Sequence, residues 1–203
     1  MTNFAQQVVK RLEDLGVKRI YGLVGDSLNP LSDAVRQSDI EWVHVRNEEA
    51  AAFAAGADSL AADELAVCGA SCGPGNTHFV QGLFESHRNG SKVLAIASHI
   101  PTVEIGSSFF QETHPELLFQ ECSSYCEVVH NADQGMRVLH NALQNTLAGN
   151  GVSVMVVPGD VFAEDTADGP HTSDSVYATG ANKRVYPDPQ EAARLVEAIN
   201  KAD

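Results

Sequence analysis

Glu48 and Glu49 stand side by side in HVRNEEAAAFAAGAD, residues 44–58, just ahead of an alanine-rich run. A carboxyl group at that point can do one of two things. It can steady a helix dipole, worth about 0.3–1 kcal/mol in the first turn, or it can hold and release a proton for a ligand. Asn47 is a good N-cap, so on residue type alone the ordinary helix-start reading is the stronger. SCGPGN, residues 71–76, offers a second group: Gly73 and Gly75 let backbone come close to a ligand, while Pro74 suits the first position of a helix. The same three residues also make a plain turn into a helix, and they are neither a G-x-G-x-x-G fingerprint nor a phosphate-binding P-loop. Gly25-Asp26 and Phe110-Gln111-Glu112 complete the conspicuous polar stretches.

Other chemistry-bearing residues lead nowhere so specific. His44, His78, His87, His99 and His114 have no metal-ligand spacing and read as surface or packing residues. Cys68, Cys72, Cys122 and Cys126 form two C-x3-C pairs, whereas structural zinc sites use tighter spacing in short turns. Buried free thiols are the better reading, and no metal site is expected.

The elements that must position these residues alternate regularly. Phe4, Val8, Val9 and Leu12 share one face of a helix over residues 4–15, which Gly16 stops. A strand at 19–23 breaks at Gly25-Asp26, and LNPLSDAVRQ resumes a helix. IEWVHV, LAVCGAS, KVLAIAS, YCEVVH and VSVMVVP are five further strands, with helices at 47–62, 76–88 and over QGMRVLHNALQNTLAG, and a long polar connection after KVLAIAS. VLAIA and VMVV have no polar alternates, the mark of strands covered on both faces. The expected fold is α/β: a doubly wound, mostly parallel six-stranded sheet with helices on both faces and right-handed crossovers. In such sheets ligands bind where the strands end at their carboxyl side, and all four polar stretches follow strands there.

The 203 residues suffice for one sizeable core. Acidic residues outnumber basic ones 27 to 13, a formal charge of −14, which repels phosphate backbones and argues against nucleic acid as a partner. No apolar run approaches the roughly 20 residues of a bilayer span, and MTNFAQQVVKRLEDLG reads as an amphipathic helix start rather than a signal peptide, so a cytoplasmic location is expected. After VPGDV the chain turns polar and rich in Gly, Asp and Thr, a linker over 166–187. DPQEAARLVEAINKAD then opens another helix, capped by Asp188, with Leu195, Val196 and Ile199 on one face.

Four segments in order, YGLVGDSLNPLSDAV, RNEEAAAFAAGAD, SCGPGNTHFVQGLFESHRN and GSSFFQETHPELLFQECSSYCE, give the chain a specific likeness. It resembles the N-terminal pyrimidine-binding domain of thiamine diphosphate enzymes of the acetolactate synthase and pyruvate oxidase superfamily. HRN, HIP, FQETHPELLF and CSSYCE are most similar to the quinone-dependent pyruvate dehydrogenases, also called pyruvate oxidases. The likeness divides the chain into a pyrimidine-binding domain over 1–165, the linker, and the first helix, 188–203, of a truncated central domain of flavin-binding type.

The resemblance implies roles. Glu48 becomes the carboxyl that shares a proton with N1′ of the aminopyrimidine and so activates the cofactor, with Asn47 where the family usually has histidine. Gly73, Pro74, Gly75 and Asn76 become the loop lining the pyrimidine pocket, and Gly25 and Asp26 its substrate side. Asp26 stands where decarboxylases carry an acid and many oxidases and synthases carry glycine. Phe110 and Gln111 match a pair lying between the thiamine and flavin sites. The implied cofactors are thiamine diphosphate, Mg2+ and FAD, the diphosphate, metal and most flavin contacts falling outside these residues. The implied function is oxidative decarboxylation of pyruvate to acetate and CO2, with electrons passing to a quinone such as ubiquinone. The protein would then be a homotetramer with active sites shared between chains, peripheral on the inner face of the cell membrane through a C-terminus absent here. The fragment alone is expected to be inactive. The alternatives are an acetolactate synthase-like enzyme, a 2-keto acid decarboxylase, or a non-catalytic, free-standing pyrimidine-type domain.

Overall fold

Apolar runs without polar alternates fold as strands buried inside the sheet. The computed structural model describes residues 2–166 and 186–202. In chain order it contains β1 (Thr2–Asn3), α1 (Phe4–Asp14), β2 (Arg19–Gly22), α2 (Asn29–Arg36), β3 (Glu41–His44), α3 (Glu48–Ala62), β4 (Ala66–Ala70) and α4 (Pro74–Arg88). There follow β5 (Val93–His99), α5 (Pro115–Leu118), β6 (Tyr125–Val128), α6 (Ala132–Asn145), β7 (Ser153–Pro158), β8 (Asp165–Thr166) and α7 (Pro189–Lys201). Six strands form one sheet in the order β3-β2-β4-β5-β7-β6, every neighbouring pair parallel. Every residue of β4, β5 and β7 is buried, while β3 and β6 at the edges are partly exposed. The expected α/β sheet is therefore present, and it is wholly rather than mostly parallel.

Two cores flank it. On one face α1, α2 and α6 press large side chains, among them Phe4, Leu12, Leu31 and Leu139, onto Ile20, Val67, Leu94, Ile96 and Met155. On the other face α3 and α4 lay Ala51, Ala52, Ala55, Phe79 and Leu83 against Ala66, Cys68, Ala70, Ala95 and Ala97. The winding explains where a crevice opens. From β2 the chain steps outward to β3, crosses back to β4, and then proceeds the other way to β5, so connections leave the adjacent ends of β2 and β4 in opposite directions.

Three short elements lie outside the sequence pattern. The polar connection after β5 contains the single turn α5, begun by Pro115, and β1 pairs antiparallel with β8, Thr2 opposite Thr166. Thr166, placed by the sequence in a linker, thus belongs to the folded unit, and residues 167–185 of that linker lie outside the described residues. Helix α7 forms as its pattern requires, with the Asp188 carboxylate accepting from the backbone N–H of Gln190 at 2.8 Å, and none of its residues is buried. No helix among the described residues is long and apolar enough to cross a membrane.

Candidate functional site

The site begins with α3. Asn47 caps it through a side-chain oxygen that accepts from the N–H of Glu49 at 2.8 Å. That cap fixes the first turn, and the turn separates the two acids: Glu48 points inward and is 5% exposed, whereas Glu49 is only half-buried. A helix-start acid that serves only the dipole stays in water, because burying a carboxylate costs several kcal/mol unless something receives it. Glu48 is received by α4. His78 Nδ1 lies 3.0 Å from its Oε2, and Gly75, one turn earlier on the same face, lies beneath its Oε1, where a Cβ would stand only 3.1 Å away. One carboxyl oxygen is thus held and the other opens over a residue with no side chain.

The loop before α4 is built to bring this about. Gly73 has φ +65°, which an L side chain rarely adopts, and a Cβ there would run into the backbone of Gln111 at 2.9 Å. Pro74 follows at the first helical position and is exposed. Cys72, buried, directs its thiol to Gln111 Oε1 at 3.5 Å, so both residues before Pro74 fix Gln111. Across the β2–β4 crevice a Cβ at Gly25 would lie 2.3 Å from Ser71 Oγ, so the two loops are in direct contact. Beneath them three hydroxyls bind strand end to strand end: Ser27 Oγ is 2.9 Å from Ser71 Oγ and 2.5 Å from Ser98 Oγ, and the N–H of Cys72 donates to Ser27 Oγ at 3.2 Å.

The structure therefore draws Gly25, Gly73, Gly75, Glu48 and Gln111 into one continuous set of contacts. It leaves others apart. Asn76 is fully buried and donates through Nδ2 to the carbonyl of Ser98 at 2.8 Å, while its Oδ1 has no partner among the described residues. Asp26 is exposed, its Oδ1 accepting from the N–H of Ser27 at 2.9 Å. Phe110 is 81% exposed with its ring tilted against Phe109. By sequence alone His78 is an ordinary histidine, and Ser27, Ser71 and Ser98 carry no signal. A lone histidine on a helix carries no spacing signal, and only its register with Gly75, three residues back on the same face, could have pointed to it. The four thiols are free, and burial pushes those of Cys122 and Cys126 up to about 11 and about 12.

A buried carboxyl with one oxygen held and one open over glycine is suited to the polar edge of a flat heterocycle, since it can accept from or donate to a ring nitrogen as its proton moves. Glycines at 73 and 75 let the loop close on Gln111 and α4 close on Oε1, at points where a Cβ would clash and push the carboxyl away. The residues present thus fit an aminopyrimidine.

Comparison with known proteins agrees. The family described as "Thiamine pyrophosphate enzyme, N-terminal TPP binding domain" matches residues 2–119. The chain is 50% identical over 200 residues to an "uncharacterized 42.6 kDa protein in isoamylase 3'region" of Pseudomonas amyloderamosa, covering 98% of this chain and 49% of that protein. It is 31% identical over 199 residues to the pyruvate oxidase of Lactiplantibacillus plantarum, covering 97% and 33%. With the large subunit of acetolactate synthase isozyme 2 of Escherichia coli it shares 30% over 160 residues, covering 78% and 29%. The chain spans half or less of the length of each of these relatives. It belongs to the thiamine pyrophosphate enzymes and carries their N-terminal TPP binding domain.

Proposed function

We propose that this chain supplies the aminopyrimidine side of a thiamine diphosphate site in a longer enzyme. That enzyme oxidatively decarboxylates pyruvate to acetate and CO2 and passes the electrons through FAD to a quinone. The observation that carries the cofactor reading is Glu48: a 5% exposed carboxyl at the carboxyl end of a parallel sheet, with Oε1 open over Gly75. The bound cofactor would supply the thiazolium C2 that attacks a keto carbon.

The chain's own residues have four tasks. Glu48 holds or yields a proton at the edge of the ring. Gly73 and Gly75 let the loop and α4 pack directly on Gln111 and on the Glu48 carboxyl. Ser27, Ser71 and Ser98 lock the ends of β2, β4 and β5 so that the pocket keeps its spacing. Gln111, whose Oε1 accepts from Cys72 Sγ and whose backbone packs on Gly73, follows the exposed Phe110, and these two would form the side from which a flavin is approached. The diphosphate, its Mg2+ and most of the FAD would be held by residues beyond this chain, with active sites shared between chains of a homo-oligomer, peripheral on the inner face of the cell membrane.

Support for the oxidase branch is the Phe110-Gln111 pair together with the likeness to a pyruvate oxidase along 97% of the chain. The test is a product assay on the full-length protein with pyruvate, thiamine diphosphate, Mg2+ and FAD. Acetate formed with concomitant reduction of a quinone is the expected result. Acetolactate or acetaldehyde as the main product overturns the oxidase branch and leaves a synthase or a decarboxylase of the same family. The 203-residue chain alone is expected to turn over no pyruvate.

A further inference from the structure

Glu48 has one side-chain partner among the described residues. Its oxygen Oε2 lies 3.0 Å from His78 Nδ1, and the histidine side chain is 52% exposed. An ionised Glu48 needs a donor at that point, which Nδ1–H provides. A Glu48 that carries its proton on Oε1, the oxygen turned to the ligand, keeps Oε2 as an acceptor, and the same Nδ1–H still serves it. The contact therefore persists through the proton transfer with no movement of either side chain, and an alanine at this position would leave Oε2 without it. Other charged groups on the two helices, Glu49 and Asp58 on α3 and Glu85 and Arg88 on α4, make no side-chain bond to Glu48 in the structure.

We propose that His78 is a positioning residue for Glu48. It holds Oε2 in either protonation state, so that Oε1 alone is presented over Gly75 to the ligand while the proton moves. This rests on reading the pocket as the aminopyrimidine side of a thiamine diphosphate site. It adds that Glu48 works as half of a pair, and that α4 supplies both the partner and the clearance, three residues apart.

The test uses the full-length protein and three readouts: the rate at which bound thiamine diphosphate exchanges its C2 proton for deuterium, the affinity for thiamine diphosphate with Mg2+ by calorimetry, and thermal unfolding. Glu48→Gln is the reference and is expected to slow exchange about a hundredfold or more. His78→Leu is expected to slow it by about tenfold or more, the usual loss when a group that orients a reactive ligand is removed, with affinity changed only a few-fold and unfolding little altered. His78→Asn, whose amide can donate or accept, should restore most of the rate. If His78→Leu fails to fold, His78→Ala takes its place. Exchange within twofold of wild type in His78→Leu, while Glu48→Gln is slow, overturns the proposal and leaves the pocket reading standing. Equal losses of affinity and melting temperature in both His78 variants, with exchange per bound cofactor unchanged, also overturn it. An unaffected Glu48→Gln overturns the pocket reading itself and the proposal with it.

Discussion

The two faces of the sheet are built to different rules. On the face of α1, α2 and α6 the contacts are made by large side chains: Phe4 stacks on Phe162 with ring centroids 6.2 Å apart and fills the space left by Gly135. On the other face Phe79 and Leu83 reach the sheet, but the seam between α3 and α4 is made by almost nothing. A Cβ at Gly82 would stand 2.6 Å from Ala52 Cβ and 2.8 Å from the carbonyl of Glu49, and one at Gly56 would stand 2.2 Å from Ser86 Oγ. Large residues secure a core by area and shape. Small ones bring two backbones together, and here the backbones brought together carry Glu48 on one side and Gly75 and His78 on the other. One face is a foundation and tolerates rearrangement; the other is a ruler for the site.

The comparison can be broken first on the bulky face. Phe4→Ala should cost about 3–5 kcal/mol of stability by leaving a cavity, with affinity of the surviving folded protein for thiamine diphosphate unchanged. Denaturant unfolding and calorimetry measure the two, and a parallel loss of affinity would show that the faces are not separate. Next in size is Glu48→Gln, expected to lower activity of the full-length enzyme by about a hundredfold, equivalent to about 2.7 kcal/mol of barrier, with stability no lower than wild type. If Glu49→Gln has that effect instead, the inward-pointing acid has been misassigned. Gly82→Ala should then cost about 1–3 kcal/mol through overpacking and also weaken cofactor binding, because it pushes on the carbonyl of Glu49, next to Glu48. Stability loss with wild-type affinity would deny α3–α4 contact its role as a ruler. The smallest effect is expected outside both faces: Asp188→Ala removes the cap of α7 and should cost that helix about 1 kcal/mol, seen as faster local hydrogen exchange over 189–201 with the unfolding of the sheet unmoved.

The bulky face was the more legible in the sequence. Phe4, Val8, Val9 and Leu12 repeat at helical spacing, and the runs VLAIA and VMVV announce buried strands, because area burial writes a periodic signal. All six strands of the main sheet came through in this way. The small-residue face writes no such signal: an alanine-rich helix looks the same whether it packs at contact distance or lies in water, and neither Gly56 nor Gly82 stood out. Glu48 could be named only by likeness to a family, since composition cannot say which of two adjacent glutamates turns inward. His78 was invisible because its meaning lies in a distance to another helix. Helix α5 and the β1–β8 pair, at four and two residues, are shorter than any period that could reveal them.

That last pair has a mechanical consequence. Thr2 and Thr166 face each other at the same end of two antiparallel strands, and Glu164 extends the fastening by accepting the N–H of Phe4 on its carbonyl at 2.9 Å and the N–H of Ala132 on its carboxylate at 2.8 Å. Tension between whatever precedes residue 2 and whatever follows residue 166 therefore opens this fastening like a zip, one bond after another, before any pull reaches the parallel strands. The unit is a ring closed by a two-residue clasp: a tug from the flanking residues meets the clasp before it meets the six-stranded sheet.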